Sequence, residues 1–146
     1  MTAEFIVAIH AIEFLNHKRE ALSSEVIAEN VCTNPARVRK VLHKLKAAGL
    51  LESKNGVEGG YMFTADAAKV TLLDIFDAVG NKFIKVAWRS GSAEMDCPIA
   101  CGMAPIMDDV FAKLDSCCRT ALSSMTVEDI DDRLFAGGLQ KEEREI

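Results

Sequence analysis

The sequence NPARVRKVLHKLKAAGLLESKNGVEGGY, residues 34 to 61, contains a basic amphipathic helix followed at once by a glycine-rich hairpin. Asn34 is a favourable N-cap, and Pro35 suits the first helical position, where a backbone N–H would have no partner. Gly49 is placed to end the helix, because glycine readily adopts the left-handed conformation of a C′ residue. One face of the helix is apolar at the i, i+3, i+4, i+7 spacing and consists of Val38, Val41, Leu42 and Leu45.

The remaining faces of this helix are basic and carry Arg37, Arg39, Lys40, His43 and Lys44. A shorter helix, capped by Ser23 and extending to Val31, precedes it, so a tight turn joins the two helices. A recognition helix needs one face in the core and the other in a major groove, and this pattern supplies both. A solvated basic helix without a function would show the same pattern.

The hairpin distinguishes these two interpretations. Leu50 and Leu51 are expected to begin a short strand, residues 54–56 form a turn, and residues 59–63 return as a second strand. A helix-turn-helix followed by such a hairpin is a winged helix, whose glycines allow the backbone to approach DNA closely. The predicted DNA-binding residues are Asn34, Pro35, Arg37, Arg39, Lys40, His43, Lys44, Lys54, Asn55, Gly59, Gly60 and Tyr61.

The charge distribution is compatible with DNA binding although the net charge is -5. The segment from residue 37 to 54 contains several basic residues and a single acidic one, Glu52. From residue 61 onward, acidic residues outnumber basic ones. Counterion release is local to each phosphate contact, so a basic stripe on an acidic protein still binds DNA. No apolar run reaches the ~18 residues of a membrane span, and residues 5–15 resemble a core helix more than a signal peptide. We therefore expect no membrane association and a cytoplasmic location.

The first and last parts of the chain are predicted to be helical. Phe5, Ile9 and Ile12 share one helical face, with Ile6 beside them. A capping box at Thr71 begins another helix, and residues 81–96 look irregular. A long amphipathic helix is expected from residue 103 to 125, with a stripe of Met107, Phe111, Leu114, Cys118, Leu122 and Met125, and with Ile106 and Val110 alongside.

Such a long stripe suits a dimer interface, although a core helix of a monomer is the alternative. A short capped helix is expected after Thr126, and residues 137–146 are expected to fray. The predicted fold is therefore mainly α, a winged helix-turn-helix with a small β-hairpin wing and a long C-terminal dimerisation helix. The predicted domains are residues 1–80, which bind DNA, and residues 81–146, which hold a sensor loop and the dimerisation helix.

Four motifs carry a family resemblance: Asn34-Pro35-x-x-Val38-Arg39-Lys40-Val41-Leu42, Leu45-x-x-Ala48-Gly49-Leu50-Leu51, Ser53-x-x-Gly56-x-x-Gly59-Gly60-Tyr61 and Val70-Thr71-Leu72-x-Asp74-Ile75-x-x-Ala78-Val79. In this order they resemble the Rrf2 family of bacterial regulators, which includes the IscR, NsrR and CymR types. The resemblance covers residues 3–80 and extends more loosely through the long helix. One departure is Met62-Phe63-Thr64-Ala65, where the family often has Leu-Ala-Arg after the tyrosine.

The resemblance implies a homodimer on a palindromic or near-palindromic double-stranded operator, with a sensor region just before the dimerisation helix. Two recognition helices related by a dyad contact half-sites roughly 34 Å apart. Cluster-binding members place three cysteines close together at that point, with a fourth ligand from elsewhere. This chain has only Cys97 and Cys101 there, and the next cysteines are Cys117 and Cys118. An iron–sulfur cluster remains an alternative, because Cys117, Cys118, His10 or a carboxylate of the partner subunit could complete the usual four ligands.

A thiol switch needs fewer residues than a cluster and requires no cofactor. Cys97 stands at the N-cap position before Pro98, where helix N–H groups stabilise a thiolate, and Cys101 lies one turn further on. Cys32 is a third redox candidate, since it lies beside the recognition helix, although a small buried apolar side chain is the favoured interpretation of that residue. The sequence shows no metal-ligand spacing among its histidines.

The function predicted from the sequence is a DNA-binding regulator, a repressor, gated by redox or electrophile chemistry at cysteine. The alternatives are the same dimer gated by an iron–sulfur cluster, or a protein-interaction module without DNA binding. The sequence contains no nucleophile–base pair and no phosphate loop, so an enzyme is not expected.

Overall fold

The computed structural model describes residues 3–80 and 82–136, and the predicted fraying of residues 137–146 lies outside this range. The described residues form two compact units. Residues 82–121 form the first, which we call the arm unit. Residues 3–80 together with 122–136 form the second, the winged-helix unit. The predicted division of the chain at residue 80 stays a prediction.

The described residues contain six helices and two strands. In chain order they are α1 (Ala3–Lys18), α2 (Ser24–Val31), α3 (Pro35–Ala47), β1 (Glu52–Lys54), β2 (Gly60–Met62), α4 (Leu72–Ala78), α5 (Pro98–Ser123) and α6 (Val127–Phe135). The strands pair antiparallel, with Ser53 opposite Tyr61, and Tyr61 also pairs through its backbone with Leu22. The predicted fold class, a mainly helical winged helix with a small hairpin, is confirmed.

The core of the winged-helix unit follows the predicted periodicity. The apolar face of α3 is fully buried, as are Ile12 of α1 and Ile75 of α4. The rings of Phe5 and Phe76 meet edge to face, with centroids 5.3 Å apart, and join α1 to α4. Ile6 is an exception, because its side chain is 65% exposed, so the expectation that it lies beside the buried face is wrong. It is one residue past Phe5, which corresponds to a rotation of about 100° around the helix.

Local signals set the helix boundaries. The hydroxyl of Ser23 accepts a hydrogen bond from the Val26 N–H at the start of α2. Capping boxes join Thr71 to Asp74 at α4, and Thr126 to Asp129 at α6. These bonds satisfy backbone N–H groups that a helix otherwise leaves without partners.

Two predicted boundaries are wrong. The first strand begins at Glu52, because Leu51 is buried in the core and does not belong to the hairpin. The long helix begins at Pro98 and ends at Ser123, so the proline start near residue 98 and the predicted helix 103–125 form one helix. Pro105 lies within it and cannot donate the hydrogen bond that position 105 would make to the Cys101 carbonyl.

Candidate nucleic-acid interface and thiol site

The turn between α2 and α3 fixes the start of the candidate recognition helix. Cys32 ends α2 in the left-handed conformation, with φ at 58°. The Asn34 side chain then accepts a hydrogen bond of 2.7 Å from the Ala36 N–H, and Pro35 occupies the first turn. Asn34 and Pro35 therefore shape and orient α3, and both are exposed at its N-terminal end.

The basic residues of α3 divide into two groups by their partners. Lys44 is bound within the fold, since its Nζ donates to Glu4 at 2.6 Å and to the Val79 carbonyl at 3.1 Å. Lys40 also contacts Glu4, at 2.7 Å, but its side chain is mostly exposed. Hydrogen bonds from Lys40 and then Lys44 hold the pKa of Glu4 below its ordinary value. The placement of Lys44 is that of a structural cation, and it differs from the predicted DNA contact.

The second group is available to a ligand. Arg39 is exposed and pairs with Glu25 of α2 at 2.8 Å, an exposed contact worth at most about 1 kcal/mol. Arg37 and His43 are exposed, and Arg37 makes no ion pair with any residue in the described part of the chain. A phosphate can therefore engage Arg37 directly, whereas at Arg39 it competes with a carboxylate.

The wing is attached to both α3 and the segment before α2. Lys46, which the sequence analysis did not assign, donates to the Ser53 hydroxyl at 2.5 Å and joins α3 to β1. Lys54 and Asn55 are exposed at the hairpin end, as predicted from the turn signal. The side chain of Tyr61 is half-buried, and its backbone N–H donates to the Leu22 carbonyl at 2.8 Å.

The backbone at Gly59 and Gly60 lies close to other backbone atoms of the same chain. A Cβ on Gly60 would lie 2.3 Å from the Leu22 oxygen, and one on Gly59 would lie 2.3 Å from the Lys54 oxygen. The backbone at Gly60 also has φ at 153°, which favours glycine. These two glycines are thus explained by packing of the wing without any contact to DNA.

Cys97 stands immediately before α5 in the arm unit and is exposed. Hydrogen bonds from the backbone N–H groups of Ala100 and Ile99 lower the pKa of its thiol. Cys101 is half-buried, and its backbone N–H donates to the Cys97 carbonyl at 3.0 Å. The structure therefore brings Cys97 and Cys101 together within one helical turn, with an activated thiol first in the pair.

The other three cysteines are Cys32 in the winged-helix unit and Cys117 and Cys118 in the arm unit. Cys32 is exposed, so the interpretation of Cys32 as a buried apolar side chain is wrong. Its left-handed conformation at the end of α2 turns it away from the packed face. Cys117 is exposed and Cys118 half-buried on α5. Across residues 3–80 and 82–136, no three His, Cys, Asp or Glu side chains converge as metal ligands.

The two apolar faces of α5 have different surroundings. Met107 and Phe111 line a cavity of about 180 Å³ with Val86 and Trp88 of the preceding segment. A neighbouring face, about 80° round the helix, is exposed and consists of Ile99, Met103, Ile106, Val110 and Leu114. The predicted stripe, which contains Met107, Phe111 and Leu114, therefore includes residues of both faces, and the exposed apolar row of α5 runs from Ile99 to Leu114.

A family model described as "Iron-dependent Transcriptional regulator", named Rrf2, matches residues 1–133. The chain belongs to the Rrf2 family. A relative named as the HTH-type transcriptional regulator YwnA of Bacillus subtilis is 30% identical over 135 residues, which are 92% of this chain and 99% of YwnA. Membership in the Rrf2 family makes the chain a transcriptional regulator with a winged-helix DNA-binding fold.

Solved structures agree with the Rrf2 assignment. A transcriptional regulator from Lactobacillus plantarum superposes with a TM-score of 0.82 at 28% identity, over 94% of this chain and 93% of that one. IscR of T. potens superposes with a TM-score of 0.72 at 17% identity, over 96% and 91% of the two chains, and shows the shared fold. In the described residues, no helix is long and apolar enough to cross a membrane.

Proposed function

We propose that this Rrf2-family chain is a cytoplasmic, homodimeric repressor that binds a palindromic or near-palindromic operator and is controlled by thiol chemistry at Cys97. The observation that carries the DNA-binding part is the exposed basic surface made by Arg37, Arg39 and His43 of α3. Lys54 and Asn55 extend it at the wing. A helix of this kind reads a major groove while the wing contacts the backbone or a minor groove.

The DNA-binding part is tested with Arg37→Ala and Arg39→Ala on an operator selected from genomic fragments by the wild-type protein. Each loss of a phosphate contact weakens binding and makes the slope of log K against log salt shallower by about one. Lys69→Ala is the matched control, because Lys69 is an exposed cation outside α3 and the wing. Unchanged affinity in both arginine variants would favour the alternative, a protein-interaction module.

The homodimer part rests on the exposed apolar face of α5. Large apolar side chains repeated at threes and fours along a helix are a typical seam between two helices. Val110→Glu places a charge in the middle of this row and is expected to convert a dimer to a monomer in light scattering. Ser116→Glu, an exposed position on the same helix about 120° round from Val110, adds the same single charge and is the control. A wild-type monomer at micromolar concentration would refute this part.

The regulatory part uses both thiols of the arm unit. The Cys97 thiolate attacks one oxygen of a peroxide, the O–O bond breaks, hydroxide leaves and a sulfenic acid forms. The Cys101 thiol then attacks that sulfur, an S–S bond forms and water is released. A disulfide between Cys97 and Cys101 strains the first turn of α5 in the arm unit. We expect the DNA affinity to change as a result.

An iron–sulfur cluster is the second candidate sensor, favoured by the description of the Rrf2 model as iron-dependent. Cys97 and Cys101 could supply two ligands, and the rest would come from outside the converged residues of one chain. Anaerobic purification distinguishes the two sensors. A brown protein with charge-transfer absorption favours the cluster. A colourless protein whose DNA affinity responds to peroxide, and no longer does in Cys97→Ser, favours the thiol switch.

A further inference from the structure

A second cavity lies within the winged-helix unit, away from α3 and the wing. It has a volume of about 170 Å³ and is enclosed by α1, the last turn of α2, and α6. Its walls are mainly apolar, with the rings of Phe14 and Phe135 among them. At one side the His10 ring nitrogen Nε2 is hydrogen-bonded to the Asn30 side chain at 2.9 Å. The volume is close to the ~150 Å³ of an apolar cavity that holds benzene, so the size and lining suit a molecule of about one ring.

Glu13 is the unusual member of this cavity. Its side chain lines the cavity, and the residue is only 6% exposed. Both carboxyl oxygens are buried, and no residue in the described parts of the chain donates a hydrogen bond to either of them. Buried polar groups almost always have partners, because leaving one unpaired costs about 1–3 kcal/mol. Glu4, the other acid of α1, pairs with two lysines. Glu13 has no such partner among the described residues.

The surroundings of Glu13 indicate the charge of the missing partner. Asp131 of α6 lines the same cavity and adds a second acid. Burial, and then the charge of Asp131, raise the pKa of Glu13 to about 8. An anionic ligand would be repelled by Asp131, and a metal ion lacks a converged set of three ligands among the described residues. A cation with an apolar body would satisfy both the unpaired carboxyl and the aromatic walls.

We propose that this cavity is a binding site for a small organic cation, a protonated amine, in which Glu13 pairs with the ammonium group and the Phe14 and Phe135 rings hold its apolar part. The ring of Phe135 is already fixed in position by stacking on His17, with centroids 5.1 Å apart. This site is separate from the DNA interface and from the arm unit, so it stands whether or not the proposed regulation by thiols is correct.

Binding at this site is coupled to a proton. Glu13 is protonated in the free protein at pH 7, and it must ionise to pair with an ammonium group. Each amine bound at pH 7 therefore releases nearly one proton from Glu13. Apparent affinity rises about ninefold from pH 6 to pH 7, since the ionised fraction of a group with a pKa of about 8 rises by that factor. The facing titratable groups are His10, His17 and Asp131.

The test is isothermal titration of the free protein with benzylammonium and n-butylammonium, without DNA. Benzyl alcohol is the neutral control for the aromatic probe. Titrations in two buffers of different ionisation enthalpy give the number of protons released. We expect saturable binding of at least one amine, at least tenfold weaker binding of benzyl alcohol, and release of nearly one proton at pH 7.

Variants assign the effect to Glu13. Glu13→Gln keeps the shape of the neutral acid but cannot ionise, so amine affinity is expected to fall at least tenfold, and proton release is lost. Glu29→Gln removes an exposed acid of α2 outside the cavity and is expected to bind as wild type does. The proposal is overturned if neither amine binds, if the alcohol binds equally well, or if Glu13→Gln retains wild-type affinity. Should Glu13→Gln fail to fold, amine binding to wild type without proton release would overturn it as well.

Discussion

Glu13→Gln is expected to stabilise the protein at neutral pH, because the buried carboxyl of Glu13 penalises folding whenever the unfolded chain would ionise it. The pKa of Glu13 is about 8 in the folded state and 4.5 in an unperturbed chain. The stability that Glu13 contributes is therefore complete below pH 4.5 and is lost as pH rises toward 8. From pH 4.5 to pH 7 the limiting loss is ~1.4 kcal/mol for each of about 2.5 pH units, or about 3.5 kcal/mol, and the gradual ionisation near pH 4.5 reduces it to about 3 kcal/mol.

Glutamine does not ionise, so the variant avoids this loss. Its amide also lacks partners in the cavity, which costs about 1–3 kcal/mol at every pH. The pH dependence of the difference is thus the decisive quantity. We expect the free energy of unfolding of Glu13→Gln, minus that of wild type, to increase by about 3 kcal/mol between pH 4.5 and pH 7.

The assay is urea unfolding followed by circular dichroism at pH 5, 6, 7 and 8, with amines excluded from every buffer. Subtracting the free energy of unfolding of wild type from that of the variant removes the contributions of the other titrating groups, which both proteins share. Glu29→Gln is the matched control, since an exposed acid has the same environment in both states, and its difference is expected to stay flat. A flat difference for Glu13→Gln as well would refute the burial argument.

The remaining predictions concern the wing, a helix cap and the thiols. Gly60→Ala is expected to cost more than 2 kcal/mol in urea unfolding, because the added Cβ meets backbone, whereas Gly49→Ala, at positive φ but in open space, is expected to cost about 1 kcal/mol. Equal losses would contradict this. Thr71→Ala removes one half of a capping box and is expected to lower the free energy of unfolding by about 1 kcal/mol, while Thr71→Ser keeps most of it. Iodoacetamide is expected to alkylate Cys97 faster than Cys117 at pH 7, as judged by peptide mass mapping, because backbone N–H groups lower the pKa of the Cys97 thiol. Equal rates would remove the argument for an activated thiol.

The sequence was most informative where a local rule decides the outcome. The caps at Ser23, Asn34 and Thr71, and the buried face of α3, depend on residues within a few positions of one another. Caps and apolar helix faces depend on local interactions that form in the same way in any fold, so both could be predicted without knowledge of the tertiary structure.

The partners of charged residues could not be predicted in the same way. Lys44 bonds to Glu4, forty residues earlier in the chain, and nothing near Lys44 indicates this. For Glu13 a weak signal existed, since it lies four residues after Ile9 and directly after the buried Ile12. An acid at that position on a helix points toward the core, but its cavity also needs α6, which is more than a hundred residues away.

The sequence predicted the position of Cys97 at a helix start, but it did not predict the extent of α5 or the exposure of Cys32. Cys97 before Pro98 marks a helix start from the sequence alone. The predicted long helix already included Pro105, but its start was placed at residue 103, whereas α5 begins at Pro98. The exposure of Cys32 likewise depends on a left-handed backbone that a non-glycine residue seldom adopts.

The exposed apolar row on α5 has a consequence for how the regulator responds to its own abundance. In the proposed homodimer two copies cover Ile99 to Leu114 between them, so folding and association are linked and the unfolding midpoint is expected to rise with protein concentration. At low abundance, the amount of dimer varies with the square of the amount of chain. A twofold change in synthesis then changes the DNA-binding species about fourfold, by mass action alone.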